Sequence, residues 1–281
     1  MTNRRSKHHN LNVACKVLVL GAVSVFTAFP FFWMIVSSLK TKQEVMRGGF
    51  FPAVPQWSNY TAVLSDSPIP RYIFNSAVVS FAVIALQIFT GALLAYAIVF
   101  LRFRGRNLLF AVIMGTYMLP VAATYIPSYK ILAELRLLDT LSGLVLSSTI
   151  SIFGIFLLRQ AFMQVPGGLV EAAMIDGAGP FRILWRIVFP ITKSSFITFG
   201  LMSFISTYNN YMWPSLITNN PEKYLVSQGL RAFFIESGAY GTEWALVMAA
   251  SAVIVVPLLI LFAFTQQWFI SGIGGETGIK G

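Results

Sequence analysis

Residues 165–191 read VPGGLVEAAMIDGAGPFRILWRIVFPI, a run of mixed polarity set between two long apolar stretches. Its composition predicts two short helices. The first begins after Pro166 and runs through Leu169, Glu171, Ala172, Ala173, Met174 and Ile175, all good helix formers, and Gly177 suits the left-handed residue that closes a helix. Pro180 fits the first turn of the second helix, where its missing N–H costs nothing, and Pro190 is expected to stop it. Phe181, Leu184, Trp185 and Val188 fall at i, i+3, i+4 and i+7, an apolar stripe, with Arg182 and Arg186 on another face. Such a hairpin can rest on lipid headgroups, with Trp185 as its anchor and the arginines on anionic lipid. It can equally dock a cytoplasmic protein, the stripe entering a groove and Glu171 meeting a basic side chain.

Outward from this hairpin the chain is apolar. Of its 281 residues, 56% are hydrophobic and 11% charged, against roughly 25% charged in soluble domains, and the mean hydropathy is +0.72. A bilayer core needs about 20 helical residues per crossing. Six runs meet that need: Val17 to Leu39, Ile73 to Phe100, Leu108 to Tyr129, Leu141 to Leu158, Ser195 to Ile217 and Trp244 to Ile270. The expected fold is therefore all-α, a polytopic membrane protein with six transmembrane helices. Pro30, Pro120, Pro127, Pro214 and Pro257 lie within or at the ends of these runs and predict kinks, not breaks, because neighbouring helices can satisfy the freed carbonyls. Trp213, Trp244 and Trp268 read as interface anchors.

The net charge of +10 comes from basic residues scattered singly or in small groups between apolar runs, without the continuous stripe that nucleic acid would require. Twelve of the 20 basic residues fall on the side of the amino terminus, Arg102, Arg104 and Arg106 among them. The other side holds eight, with seven of the ten acids. The positive-inside rule then puts both termini and the 165–191 hairpin in the cytoplasm. The basic stretch Met1 to Asn12 precedes an apolar run longer than a signal-peptide core and reads as a retained anchor.

Several chemistries are disfavoured. Cys15 is the only cysteine, and His8 and His9, the only histidines, sit in a polar tail, so no Cys/His metal site and no intrachain disulfide are expected. Glu134, Asp139, Glu236 and Glu243 fall in loops or at the ends of the runs, which leaves no intramembrane carboxylate for proton coupling. No GxxxxGK[ST] loop is present to cradle ATP phosphates, and an enzyme would lack a nucleophile with a base. Uphill transport by such a chain would draw its energy from a partner.

The spacing Glu171, Ala172, Ala173, three residues, Gly177, nine residues, Ile187, then Pro190 resembles the EAA loop of bacterial ABC importer permeases. The wider stretch is similar to the carbohydrate-uptake branch, which includes the second maltose permease subunit and the glycerol-3-phosphate permease. Gly179 departs from the usual Ser or Thr N-cap, and Phe189 stands where Leu is usual. Asn75-Ser76, Arg102 to Arg106, Leu138-Asp139-Thr140, Tyr208 to Pro214 and a glycine-rich tail ending Lys280-Gly281 extend the resemblance from about Phe29 onward.

The resemblance implies a binding-protein-dependent, type I importer permease fold in a bacterial inner membrane. It implies coupling to an ATPase through Glu171, Ala172, Ala173, Asp176, Gly177, Ile187 and Pro190. The partners it implies are a second permease subunit, an ATPase dimer that carries ATP and Mg, and an extracellular solute-binding protein facing the segment Thr218 to Glu243. No cofactor, metal or catalytic residue is expected on this chain. The corresponding segments are a tail and first span over 1–39, an external loop over 40–71, a core over 72–270 containing the coupling loop 164–194, and a cytoplasmic tail over 271–281. The cargo implied is a sugar or oligosaccharide, with glycerol 3-phosphate or another polyol as the alternative and a non-transport scaffold further off.

Polar residues inside the runs are candidates for the substrate pathway. Gln87, Thr90 and Tyr117 lie in spans two and three, and Tyr208, Asn209, Asn210 and Tyr211 bring amides beside aromatic faces in span five, a combination suited to sugars. Gln87 can instead bond across helices, and serine and threonine side chains usually bond to backbone.

Overall fold

A computed structural model describes the backbone of residues 2–235 and 243–274 and the side chains of 15–235 and 243–268. Glu236 and Gly238 of the outer segment and the tail beyond Gly274 lie outside the described residues. In chain order the helices are α1 Thr2–Ser38, α2 Lys42–Arg47, α3 Ser58–Ser65, α4 Ile69–Phe100, α5 Arg106–Thr116, α6 Val121–Glu134 and α7 Leu141–Ser147. They continue as α8 Ile152–Phe162, α9 Gly167–Ile175, α10 Pro180–Ile191, α11 Lys193–Tyr208, α12 Met212–Ile217, α13 Val226–Phe234 and α14 Trp244–Gly274. No strand occurs among the described residues.

Among the described residues three helices are long and apolar enough to cross a bilayer unbroken: Cys15–Ser38 of α1, α4, and Trp244–Trp268 of α14. The other three expected spans are broken. α5 and α6 meet at 98° and α7 and α8 at 48°, while the run Ser195 to Ile217 is divided between α11 and α12; the further bend of 86° between α10 and α11 lies ahead of that run, where the hairpin ends. At Pro120 the expected kink is thus a full break. Pro120 has no N–H to give the preceding turn, and its extended backbone (φ −59°, ψ 127°) starts a new helix. Pro30, Pro127 and Pro257 stay inside continuous helices, as expected. The run Leu141 to Leu158, read as one span, divides at Ser148–Ser151, where hydroxyl-bearing residues compete for backbone bonds and Ser151 caps α8 by accepting from the Gly154 amide.

The chain forms two compact units. The first comprises residues 1–68 and 232–254. Its connection after α1 is held by Asn59, whose Nδ2 donates to the carbonyls of Ser38 (2.8 Å) and Lys40 (3.0 Å). The buried Lys40 ammonium donates to Gly49 O at 2.6 Å and lies over the Trp33 ring at 4.4 Å, so its charge is partnered on both sides. Thr41 and Glu44 form a capping box on α2.

The second unit comprises residues 69–231 and the described residues from 255 onward, and is organised around α4. Two apolar cores lie along that helix. One gathers Val79 and Val83 of α4 with Leu132, Leu144, Trp213, Ile217 and Leu225. The other gathers Ala92, Ala95 and Tyr96 with residues of α8, the 165–191 hairpin and α11. Val79 and Ala95 are about 24 Å apart at 1.5 Å per helical residue. Small residues let the helices of the second core approach closely: a Cβ on Gly154 of α8 would overlap the buried Phe199 ring of α11, and one on Gly91 of α4 would touch Leu158 and Phe199. Trp213 is not the interface anchor expected. It is buried, stacks on Tyr125 at 5.5 Å and donates its indole N–H to Ser147 Oγ at 2.9 Å, because the turn into α12 directs it into the first core.

Gly154→Ala should force the Phe199 ring aside and lower stability by about 1–3 kcal/mol, as overpacked cores do. Thermal unfolding in detergent should show the loss, and adding Phe199→Leu should recover part of it.

Candidate functional site

The 165–191 segment folds as the expected hairpin, with Gly177 at its corner. Gly177 has φ +75°, its N–H bonds to Met174 O (3.1 Å), and the Ala178 N–H reaches back to Ala173 O (2.9 Å). These two bonds make a Schellman close, which needs a left-handed residue at that position. Gly179 is extended and makes no side-chain cap, and Pro180 opens α10. Pro190, however, does not stop the helix. Leu184–Val188 widens into a π-turn in which Phe189 N–H bonds to Leu184 O, and helical backbone continues through Ile191. The wide turn removes the clash that a proline ring would make with the carbonyl one turn back. The chain then turns at Thr192, whose N–H (3.0 Å) and hydroxyl (2.7 Å) both bond to Val188 O.

The stripe on α10 faces inward. Leu184 and Val188 are fully buried, joined by Ile183, and Trp185 packs against Phe189 (5.7 Å) and Phe196 (6.3 Å). Phe181 is the exception, more than half exposed. Ala173 is buried and Ile187 half-buried, whereas Glu171, Ala172, Asp176, Gly177 and Pro190 are exposed. Met174 and Ile175 lie on the same outer surface, Ile175 at 86% exposure. The hairpin is thus a knob fastened to α8 and α11 by its apolar side, presenting two carboxylates beside bare apolar residues.

The candidate pathway residues divide into groups. Gln87 and Thr90 meet at the α7–α8 break: Gln87 Nε2 donates to Ser148 O (2.7 Å), Thr90 Oγ1 to Thr149 O (3.0 Å), and Ser203 Oγ of α11 donates to Gln87 Oε1 (2.6 Å). Tyr117 stands exposed at the α5–α6 break. Tyr208 is buried and stacked on Phe204 at 5.4 Å, and Asn209 Nδ2 is turned back onto Ile205 O at 3.0 Å. Asn210 is half-buried, and Tyr211 lies under the Arg231 guanidinium at 5.8 Å. The dense polar cluster expected at 208–211 is therefore spread in several directions by the end of α11 and the turn into α12.

At the other end of the second unit, a clasp holds the segment 218–226. Asp139, left-handed at φ 56°, accepts from the amides of Asn219 and Asn220, both at 3.0 Å, and its carbonyl accepts from Lys223 Nζ at 2.6 Å. The Asn220 amide leads in holding the Asp139 carboxyl below its usual range, with the Asn219 amide and the Lys223 charge adding to it. Asn75 Nδ2 donates to the carbonyls of Glu222 (2.9 Å) and Tyr224 (3.1 Å), and Ser76 Oγ accepts from the Val226 amide at 2.8 Å. The sequence marked Asn75-Ser76 and Leu138-Asp139-Thr140 as patterns without a role. The Asp-Thr pair before α7, with Thr140 capping Gly143, is the local signal that a polar clasp sits there. Ser203 reads from the sequence as one polar residue among several in span five, and no local pattern marks Gln87 as its partner.

The sequence profile of the family described as "Binding-protein-dependent transport system inner membrane component" matches residues 87–274. The sn-glycerol-3-phosphate transport system permease protein UgpE of Brucella abortus (strain 2308) is 34% identical over 266 residues, covering 92% of this chain and 93% of its own. Among solved structures, a bacterial ABC transporter involved in the import of the acidic polysaccharide alginate aligns with a TM-score of 0.82 at 23% identity, over 92% of this chain and 97% of the other. A bacterial alginate ABC transporter, in complex with an alginate pentasaccharide-bound periplasmic protein, aligns with a TM-score of 0.66 at 16% identity, over 97% and 99%. Both share the fold.

Gly177→Val should strain the left-handed corner by about 1–2 kcal/mol and speed hydrogen exchange at the Gly177 and Ala178 amides, with Gly177→Asn closer to wild type. At Asp139 the lowered carboxyl stabilises the clasp above its ordinary range near 3.9, and this contribution fades as pH falls through its depressed folded value. Asp139→Asn keeps an acceptor and loses the charge. Its melting temperature should lie below wild type at pH 7, and the gap should close as the pH is taken below about 3.9.

Proposed function

The chain belongs to the family of binding-protein-dependent transport system inner membrane components, and on that basis we propose that it is one of two permease subunits of an ATP-driven importer for a sugar or oligosaccharide. The observation that carries the coupling half of this reading is the outer face of the hairpin. Glu171 and Asp176 stand exposed beside Met174 and Ile175, while the stripe that would lie on lipid is buried inside the chain. With the stripe spent inside the chain and Arg182 and Arg186 exposed on another face, the patch of Glu171, Asp176, Met174 and Ile175 suits a basic, partly apolar cleft on a partner protein. The partner is an ATPase dimer, which holds ATP and Mg. This chain performs no covalent chemistry and binds no cofactor.

In this reading Glu171, Ala172, Asp176 and Gly177 meet the ATPase, Ala173 and Ile187 set the knob on α8 and α11, and Pro190 shapes the exit of α10. Both termini and the hairpin face the cytoplasm, in accord with the basic residues gathered there. The clasped segment 218–226 faces the solute-binding protein, and Tyr117, Asn210 and Tyr211 supply pathway contacts beside a second permease subunit. ATP closure then drives the cavity between its two openings by favouring one of two conformations.

A second reading of the cargo is glycerol 3-phosphate, favoured by the name of the Brucella relative. A neutral sugar is favoured by the spans, whose described middle portions carry no lysine or arginine for a phosphate. The test is to tag the chain, solubilise membranes in mild detergent, and assay ATP hydrolysis of what co-purifies with its binding protein in maltotetraose, raffinose or sn-glycerol 3-phosphate. Recovery of an ATPase and a second permease is expected, with stimulation by a neutral sugar. Stimulation by glycerol 3-phosphate alone would replace the cargo. Glu171→Lys should insert normally yet lose transport, and normal uptake in that variant together with Gly177→Asp would overturn the coupling role.

A further inference from the structure

The two apolar cores of the second unit are divided by a polar seam at the level of Gln87. Between Val83 and Ala92, α4 carries Gln87 and Thr90, and there the long apolar path of α7–α8 breaks and bends by 48°. The break frees carbonyls in a region without water, where an unsatisfied backbone group costs several kcal/mol. α4 supplies the missing donors: Gln87 to Ser148 O and Thr90 to Thr149 O. The other end of the Gln87 amide takes the hydroxyl of Ser203, so one side chain joins α4, the break and α11. α7 belongs to the first core through Leu144, and α8 to the second through Leu158, Ala161 and Phe162. The second core also contains the hairpin residues Val170, Ala173 and Leu184.

We propose that Gln87 is a positioning residue for transport, the pin of a mid-membrane hinge about which the hairpin-bearing core turns relative to the core beneath the 218–226 clasp. The proposal that the turn is driven by ATP rests on the importer reading above; the pin itself does not. Gln87 is suited to this role because an amide offers a donor and an acceptor with no charge to bury. Glutamate or methionine at this position would lose one or both ends. The bonds it makes are exchangeable, since hydrogen bonds between membrane helices are individually weak and re-form on the same groups after a small rotation. The second core moves as a block because close packing at Gly154 and Gly91 leaves no room for sliding within it.

The test uses spin-label distances on the full chain in lipid nanodiscs, with Cys15→Ser as background. Exposed positions give one pair across the break, Leu146→Cys with Met163→Cys, one within the first core, Leu146→Cys with Leu216→Cys, and one within the second, Leu101→Cys with Met163→Cys. On the chain alone, Gln87→Met should broaden the cross-break distribution and leave the other two narrow, while Ala85→Met, on the exposed face of α4, changes none. An unchanged cross-break width in Gln87→Met overturns the pin whatever the chain's partners. In the complex that co-purifies, vanadate-trapped ATP should shift the cross-break distance alone. Hydrolysis without that shift, or equal shifts in all three pairs, overturns the hinge and leaves the importer reading standing. Absence of any co-purifying ATPase overturns the importer reading, and with it the driven turn, while the nanodisc widths still decide the pin.

Discussion

Inside a bilayer there is no water to complete a broken helix, and this constraint governs the architecture of the second unit. The 48° break between α7 and α8 exists because side chains on a neighbouring helix complete it. Gln87 and Thr90 do so from α4, and Ser203 closes the other end of the glutamine amide from α11. Each such bond contributes only about 0.6 kcal/mol on average between membrane helices. Their weight lies in what their loss would leave exposed, since orphaned carbonyls in hydrocarbon cost several times more. At Pro190 a π-turn just ahead of the ring widens the helix, and the backbone stays helical through Ile191 without that N–H.

From that seam the two ends of the unit acquire different characters. Toward the hairpin, glycine lets aromatic rings nest against helix backbones, and the apolar stripe of α10 is consumed by internal packing. The surface left over carries Glu171, Asp176, Arg182 and Arg186 beside the bare Met174 and Ile175. Toward the clasp, the connection is written in polar side chains, with Asp139, Asn75 and Ser76 each satisfying backbone of one segment. A segment so held presents a fixed surface instead of a loose connector.

Gly177 was legible because a helix end needs a left-handed residue and glycine is the residue without a Cβ penalty, a property of a few neighbouring positions. Six apolar runs were legible for a similar reason, as span length follows from bilayer thickness alone. Pro120 and Pro190 were each misjudged. A proline states only that a bond is missing, and whether the chain kinks, breaks or widens depends on what surrounds it. Trp213 was misread because interface anchoring and core packing use the same side chain.

The sequence by itself determined the class of molecule, the apolar runs of crossing length, the hairpin with its glycine corner and the family resemblance, because each depends on composition or on spacing within one turn or two. Only the tertiary structure decided which way the stripe of α10 faces, which polar residues of the spans are already spent on backbone, and that Gln87, Ser148 and Ser203 meet. Those outcomes depend on contacts between residues 61 and 116 positions apart. Local patterning carries no record of such pairs, since the groups that satisfy a broken helix lie on whichever neighbour packing brings beside it.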